Sequence, residues 1–590
     1  LLENSIPSRP LTHALYSLYT LPVTFHIMKI TSQLLCFISL AFVSPLRGKL
    51  HVPNLFGDNM VLQQNTSNAV WGFATPREKI SVEASWGSTA STTADDQGEW
   101  KIMLETPAAG TGHHLVLSGT NTIRISNVAI GEVWLCIGQS NMGWVLGNTF
   151  GAEEEAAAAD FPNLRIFKSS REHWHEPLKQ SRDLLAKWSP CNPVTATATS
   201  AVSYYFGRKL HEELGIPVGI IVQAYAGTPI EGWMPKEIQK GDPRTRAAME
   251  QYGKLSRRFS KEEALKNFSK ELREYRTKIA AGETMKNKFK PLAPPTITKP
   301  AILGHQYPSH IFNAMVHPVR PYGIRGATWY QGERNAKDVP QALNYRRQLA
   351  QLIRFYRSSW HKLSEGHVAD DFPFYFTQLP SWNPPQEKPV EGTESPWVVS
   401  REMMRLVTSE VTNTAMAVTI DTGDAIALHP KNKKPIGIRH AYLALKETYG
   451  KNIIASGPRF VKQSLQGNRI VLEFDSIGSG MMTARPGQPD AFAIAGKNRK
   501  WHWAHAEIKR NTVVLSAAEV PRPVAARYAW AMNPSQRNLI YNREGLPASP
   551  FRTDKWPLFD PENDQPLTVH KPEKPEGYQP GDWKRPPMRQ

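Results

Sequence analysis

Cysteine is scarce in this chain: Cys36, Cys136 and Cys191 are the only three in 590 residues. None falls in the paired spacing of a zinc site, and so few cannot make a disulfide-stapled scaffold. No apolar run reaches the roughly 20 residues needed to span a bilayer. Acidic residues are outnumbered, 53 against 71 Lys and Arg, for a formal net charge of +18. That excess is spread along the chain, with clusters near 236–290 and in the tail, and no zinc-finger, RRM or basic-heptad pattern accompanies it. Solvated surface charge accounts for it better than a nucleic-acid interface. There is no internal repeat, and nothing implies a metal or an organic cofactor.

What is present is long enough for two to four domains. Residues 1–27 read as upstream translation. Met28 opens a better leader: Lys29 supplies the positive charge, Leu34–Val43 the apolar stretch and Ser39-Leu40-Ala41 a small-residue cleavage motif, so 28–47 is expected to be an export signal. The expected location is periplasmic or extracellular. Cys36 lies inside that segment without the small residue before it that a lipid anchor wants. Whether Cys136 and Cys191 pair is not legible, although Cys136 sits in an apolar run that reads as a buried strand.

Residues 48–127 carry short β-like segments separated by Gly, Pro, Asn and Asp, the pattern of a sandwich-like accessory domain. From 128 to 450 apolar strand-like runs alternate with helical stretches, which predicts a parallel sheet with crossovers. Expected strands are Val133–Ile137, Pro217–Ala224, Ile324–Tyr330, Phe372–Leu379 and Ala415–Ile420; expected helices are Ala201–Leu214 and Ala342–Trp360. The Lys-, Arg- and Glu-rich stretch 236–290 reads as a solvated helical insertion, and Pro291–Pro300 as a linker. Short β-like segments, Ile453–Gly457 first, return over 451–565. The Pro- and Lys-rich end, 566–590, reads as a disordered tail.

Chemistry gathers at the ends of the predicted strands, where α/β folds place their sites. Val133–Ile137 runs into Gly138-Gln139-Ser140-Asn141-Met142. Taken alone, Ser140 is as readily a helix N-cap as a nucleophile. Three further stretches decide between them. Ala224-Tyr-Ala-Gly227-Thr-Pro-Ile-Glu231-Gly-Trp233 offers a glycine N–H. Ala327-Thr-Trp329-Tyr-Gln331-Gly-Glu333-Arg-Asn335 offers two amide side chains and a carboxylate. Asp421-Thr-Gly-Asp424-Ala-Ile-Ala-Leu-His429 offers a base. Serine, histidine and convergent donors are the parts that acyl transfer requires.

The strings GQSNM, WYQGE-x-N and HPKNK-x-x-x-G-x-R, with LFGDNMVLQ upstream, closely resemble the sialate O-acetylesterase family of the SGNH/GDSL hydrolases. The resemblance runs from the early β-domain to about residue 560. It implies a flavodoxin-like three-layer α/β/α core with flanking β-sandwich-like domains. It also implies Ser140 as nucleophile and His429 as base, with an oxyanion hole formed by the Ser140 and Gly227 N–H groups and an amide from Asn335 or Gln331. The implied activity is hydrolysis of O-acetyl esters on a sugar or glycan, without metal or cofactor. Two departures stand out. Ala226 replaces the first glycine of the family's Gly-Gly-Thr. Ile426 and Ala427 occupy the positions where relatives carry the acid, leaving Asp424, Asp421 or a backbone carbonyl to orient His429, with Asp424 preferred. Trp144, Trp233 and Trp329 could stack on a sugar, and Glu231, Glu333, Arg401 and Arg439 could contact substrate; packing or ion pairing explains each of them equally well. A xylan-type acetylesterase and a non-catalytic glycan-binding protein are the alternatives. The oligomeric state is not legible.

Overall fold

A computed structural model describes residues 49–559, apart from 183–185, 258–259, 284, 288–289, 292–294, 296–303 and 392–394. The expected segments 1–27 and 28–47, the tail at 566–590 and most of the 291–300 linker lie outside the described residues.

The central sheet is built on β1 (Thr122–Gly138). Its other strands are β2 (Phe161–Lys168), β3 (Trp188–Cys191), β4 (Val218–Ala224), β5 (Gly326–Tyr330), β6 (Phe374–Thr377) and β7 (Thr414–Ala417). Across the sheet the order is β7-β6-β5-β1-β4-β2-β3. Every neighbouring pair is parallel except β2 with β3. Alternate side chains of β1 go to opposite faces, as the pleat requires. Val133, Leu135 and Ile137 enter one core with Trp329, Phe374 and the helix α2 (Val339–Leu363). Trp134 and Cys136 enter another with α1 (Ala201–Leu214) and α4 (Lys434–Leu443). Helices on both faces explain why β1 lacks the apolar–polar alternation of a half-exposed strand. Full burial of each such aliphatic side chain contributes roughly 1.5–3 kcal/mol.

Helix starts follow local chemistry. Asp338 caps α2 by accepting the Gln341 N–H at 2.8 Å, with Pro340 in the first turn. Helix α3 (Pro396–Val407), which the sequence pattern did not bring out, lies beside α2. The insertion is helical at Pro243–Arg257 and Lys261–Ala280.

The expected boundary at 127/128 falls inside β1. The first half of that strand pairs antiparallel with Gly110–Ser118, and its second half runs on into the parallel sheet. Glu132, fully buried at the change-over, accepts bonds from Gln64 Nε2, Arg325 Nε and Tyr449 Oη at 2.7, 2.7 and 2.8 Å. The C-terminal β-region holds two four-stranded antiparallel sheets over a core that includes Ile470, Leu472, Phe492, Ile494, Val513 and Leu515. The expected strand at Ile453–Gly457 does not form, because Gly457 packs as irregular backbone against the Pro547 carbonyl. Among the described residues no helix is long and apolar enough to cross a membrane. Cys136 and Cys191 are both buried free thiols, pushed up to about 11 and about 12 by burial.

Candidate active site

β1 ends at Gly138, where a Cβ would come within 2.2 Å of the Tyr330 carbonyl oxygen; only glycine lets the strand end approach β5 this closely. The Gln139 N–H donates to that same oxygen at 3.0 Å. The chain then makes a single turn, closed by the Gly143 N–H on the Gln139 carbonyl at 2.9 Å. No helix opens at Ser140, so the N-cap role is not realised. Ser140 is half-buried at the carboxyl edge of the sheet.

His429 reaches the serine from the loop beyond β7. Its Nε2 lies 2.8 Å from Ser140 Oγ. The ring stacks on Trp144, with centroids 5.5 Å apart and planes 18° from parallel, and the Trp144 indole N–H is tied to the Asn148 carbonyl at 3.0 Å. Trp144 is therefore a platform for the histidine. Burial, and then the neighbouring Lys433 ammonium, hold the His429 pKa below its ordinary value.

The expected acid is not on the imidazole. Asp424 Oδ1 accepts the N–H groups of Ile426 and Ala427 at 2.8 and 2.9 Å, an Asx-type cap on its own loop. Asp421 takes both arms of Arg439, at 2.7 and 2.6 Å. Among the described residues no carboxylate is hydrogen-bonded to His429.

Gly227 follows β4, whose last residue, Ala224, is in register with Gly138. Its φ of +71° is a conformation that glycine adopts without strain. Neither the Gly227 nor the Ser140 N–H has a hydrogen-bond acceptor among the described residues. The amides expected beside them are used elsewhere. Gln331 Nε2 donates to Asn335 Oδ1 at 2.8 Å and to the Thr228 carbonyl at 3.1 Å. Asn335 accepts the Ile230 N–H at 2.9 Å and donates to Glu231 at 2.9 Å. Both side chains are fully buried. They brace the glycine loop: Gln331 has its donors engaged, and Asn335 holds its amide on Glu231.

Several expected substrate contacts are structural for the same reason, that their polar atoms are satisfied inside the protein. Glu231 also accepts from Gln348 at 2.8 Å. Trp233 is buried, with its N–H on Thr228 Oγ1 at 2.9 Å, and Trp329 packs edge-on against it. Arg401 donates to four backbone carbonyls, those of Leu379, Pro380, Ala531 and Met532. Arg439 is engaged with Asp421, and its side chain is only 6% exposed.

Two residues beneath the serine had no expected role. Asn141 donates to Glu333 Oε1 and to the Leu428 carbonyl, and it accepts from the Lys433 ammonium. Lys433 is 0% exposed. Burial pushes its pKa down to about 7 against the opposing pull of Glu333, and burial raises the Glu333 carboxyl. Lysines at 431, 433 and 434 look alike in sequence, and nothing there singles out the buried one. No group of three His, Cys, Asp or Glu able to hold a metal is found among the described residues.

Comparison with known proteins places the chain among carbohydrate acetylesterases. A family model described as carbohydrate esterase, sialic acid-specific acetylesterase, matches residues 130–269. The sialate O-acetylesterase of Mus musculus is 28% identical over 525 residues, covering 83% of this chain and 92% of the mouse protein. The Homo sapiens sialate O-acetylesterase is 25% identical over 529 residues, covering 84% and 90%. The crystal structure of a carbohydrate acetylesterase from Xanthomonas citri superposes with a TM-score of 0.71 at 30% identity, covering 86% of this chain and all of that one. The chain belongs to the sialate O-acetylesterase family and is a carbohydrate O-acetylesterase.

Proposed function

We propose that Ser140 is the nucleophile and His429 the general base of this esterase, and that O-acetylated sialic acids are its substrates. The observation that carries the assignment is the 2.8 Å separation of Ser140 Oγ and His429 Nε2 at the carboxyl edge of the sheet. With its proton on Nδ1, His429 accepts the hydroxyl proton as Oγ attacks the acetyl carbonyl. Negative charge grows on the carbonyl oxygen, and the Ser140 and Gly227 N–H groups are free to receive it. His429 returns the proton to the departing sugar oxygen. It then deprotonates a water that releases acetate from acetyl-Ser140. In the absence of a hydrogen-bonded carboxylate, the imidazolium gains from the face of Trp144.

The order of the sheet favours an SGNH-hydrolase core. With β2 and β3 set aside, the parallel strands run β4-β1-β5-β6-β7, which is the 2-1-3-4-5 order of flavodoxin-like sheets. Serine follows the first of these strands, Gly227 the second, the amide block the third and His429 the fifth. The flanking β-regions take no part in the chemistry in this proposal. Export is proposed from the leader pattern at 28–47.

An anionic sugar is favoured over neutral xylan by a cavity of about 270 Å³ beside the serine turn, bounded by Gly143 and Ala224 and rimmed by Lys168 and Arg171. Ser140→Ala should lower acetate release from O-acetyl sialosides by at least ~10³-fold, and a serine-directed phosphonate should label Ser140 in the wild type. Retained release, or labelling elsewhere, overturns the nucleophile. Preferential turnover of acetyl-xylan overturns the substrate alone.

A further inference from the structure

Lys433 has no part in the acyl transfer just described, yet it is fully buried and stands at the N-terminal boundary of α4. A cation there opposes the helix dipole, and a buried ammonium carries a large desolvation penalty. Three contacts compensate. Its Nζ donates to Asn141 Oδ1, and it lies 5.9 Å from the centroid of Trp144 and 5.6 Å from that of Tyr330. Through Asn141 it is joined to Glu333, whose carboxylate accepts the Asn141 amide N–H. Asn141 adjoins the nucleophile in the chain. Its amide also donates to the carbonyl of Leu428, the residue before the base, at 3.3 Å. A neutral donor would serve those hydrogen bonds, so the charge calls for its own explanation.

We infer that Lys433 is a positioning residue whose ammonium, fixed by Asn141 and Glu333 beneath the serine turn and facing the Trp144–His429 stack, keeps His429 unprotonated at mildly acidic pH. The inference rests on the Ser140–His429 assignment. The groups facing the pair are few. His429 meets Ser140, Trp144 and the Lys433 charge, and among the described residues no carboxylate is bonded to it. Lys433 meets Asn141, Tyr330, Trp144 and Glu333, and Glu333 in turn faces Tyr330 and Tyr345. Of these groups, Lys433 alone is cationic beside the base, and Glu333 balances it from the far side of Asn141. The sign follows directly. A general base works unprotonated, so activity is lost as pH falls through its pKa. A neighbouring positive charge lowers that pKa and extends activity downward in pH. Where the two groups titrate together, the acid limb belongs to the coupled pair.

The test is kcat/KM against pH with a neutral aryl acetate, for the wild type and three variants. Lys433→Met removes charge and donor, Lys433→Gln keeps a donor for Asn141, and Lys433→Arg keeps the charge. The expected result is an acid limb raised by about half a pH unit or more in Met and Gln, a roughly threefold relative loss on the limb, with Arg close to wild type. Superimposed profiles in Met, Gln and wild type overturn the inference, however far the rate has dropped, as does an Arg variant whose limb moves with that of Gln. If the neutral variants fail to fold, NMR titration of His429 in the wild type decides. A second displacement of the His429 ring resonances as Lys433 itself titrates supports the inference, and a single titration step without it refutes it. Full activity of Ser140→Ala would be a separate failure, of the nucleophile, and the NMR titration would still report on Lys433.

Discussion

Asp424→Asn separates two arrangements of this site. If Asp424 completed a Ser-His-Asp triad, making it neutral would cost roughly 10⁴ in kcat, about 5.5 kcal/mol of transition-state stabilisation. In the structure its Oδ1 instead receives two backbone N–H groups, at 2.8 and 2.9 Å, from a site 2% exposed. An asparagine amide oxygen can accept the same bonds and loses only their charge assistance, about 1 kcal/mol in all. That loss falls on the folding of the loop that carries His429. The expected outcome is a kcat within about tenfold of wild type and a Tm lowered by no more than about 4 °C. Acetate release under saturating substrate, beside a thermal melt of the same preparation, measures both. A fall in kcat of ~10³ or more at unchanged Tm would refute the dyad arrangement and return Asp424 to the imidazole.

Asp421→Ala strands the Arg439 guanidinium in a site where both partners are under a tenth exposed, and should cost about 3–5 kcal/mol of stability. Melting temperature reads this, whereas a raised KM at unchanged stability would show Arg439 to be a substrate ligand after all. Gly227→Ala has room for its Cβ, since the nearest heavy atoms lie 3.7 and 3.9 Å away, but at φ +71° the alanine is strained by roughly 1–2 kcal/mol and its N–H is re-aimed. A fall in kcat of about 10- to 100-fold with little change in KM is expected, and an unchanged kcat would remove this N–H from the oxyanion hole.

Positions were more legible in the sequence than partners. Ser140, Gly227 and His429 could be found because each follows a strand, and buried strands announce themselves as apolar runs. What each polar side chain touches depends on distances the pattern does not carry. Gln331 and Asn335 have the donors that an oxyanion needs, yet those donors close a network across to Thr228 and Glu231, about a hundred positions away in the chain. Proximity in sequence to His429 points to Asp424 as the acid, but the nearer N–H groups of its own loop compete for the carboxylate and win. Lys433 is hidden in the sequence because its burial is decided by the serine turn, Trp144 and the end of β5 coming together around it, and a lysine among lysines gives no sign of that. β2 and α3 were missed where Pro, Asn and Arg interrupt the first and buried charged residues interrupt the second.

The strand that ends at the serine begins in a different sheet. Residues Thr122–Gly138 form one unbroken element of 17 residues, and Glu132 is clamped at the change-over by residues from three separate stretches of the chain. The N-terminal β-region is thus no appendage on a tether. It has no hinge about which to swing, and cleavage at 127/128 would cut through the paired strand that carries the nucleophile turn. Unlike a binding module joined by a linker, it cannot be shuffled, deleted or grafted without rebuilding the catalytic sheet, so the two must be inherited, folded and engineered as a single mechanical piece.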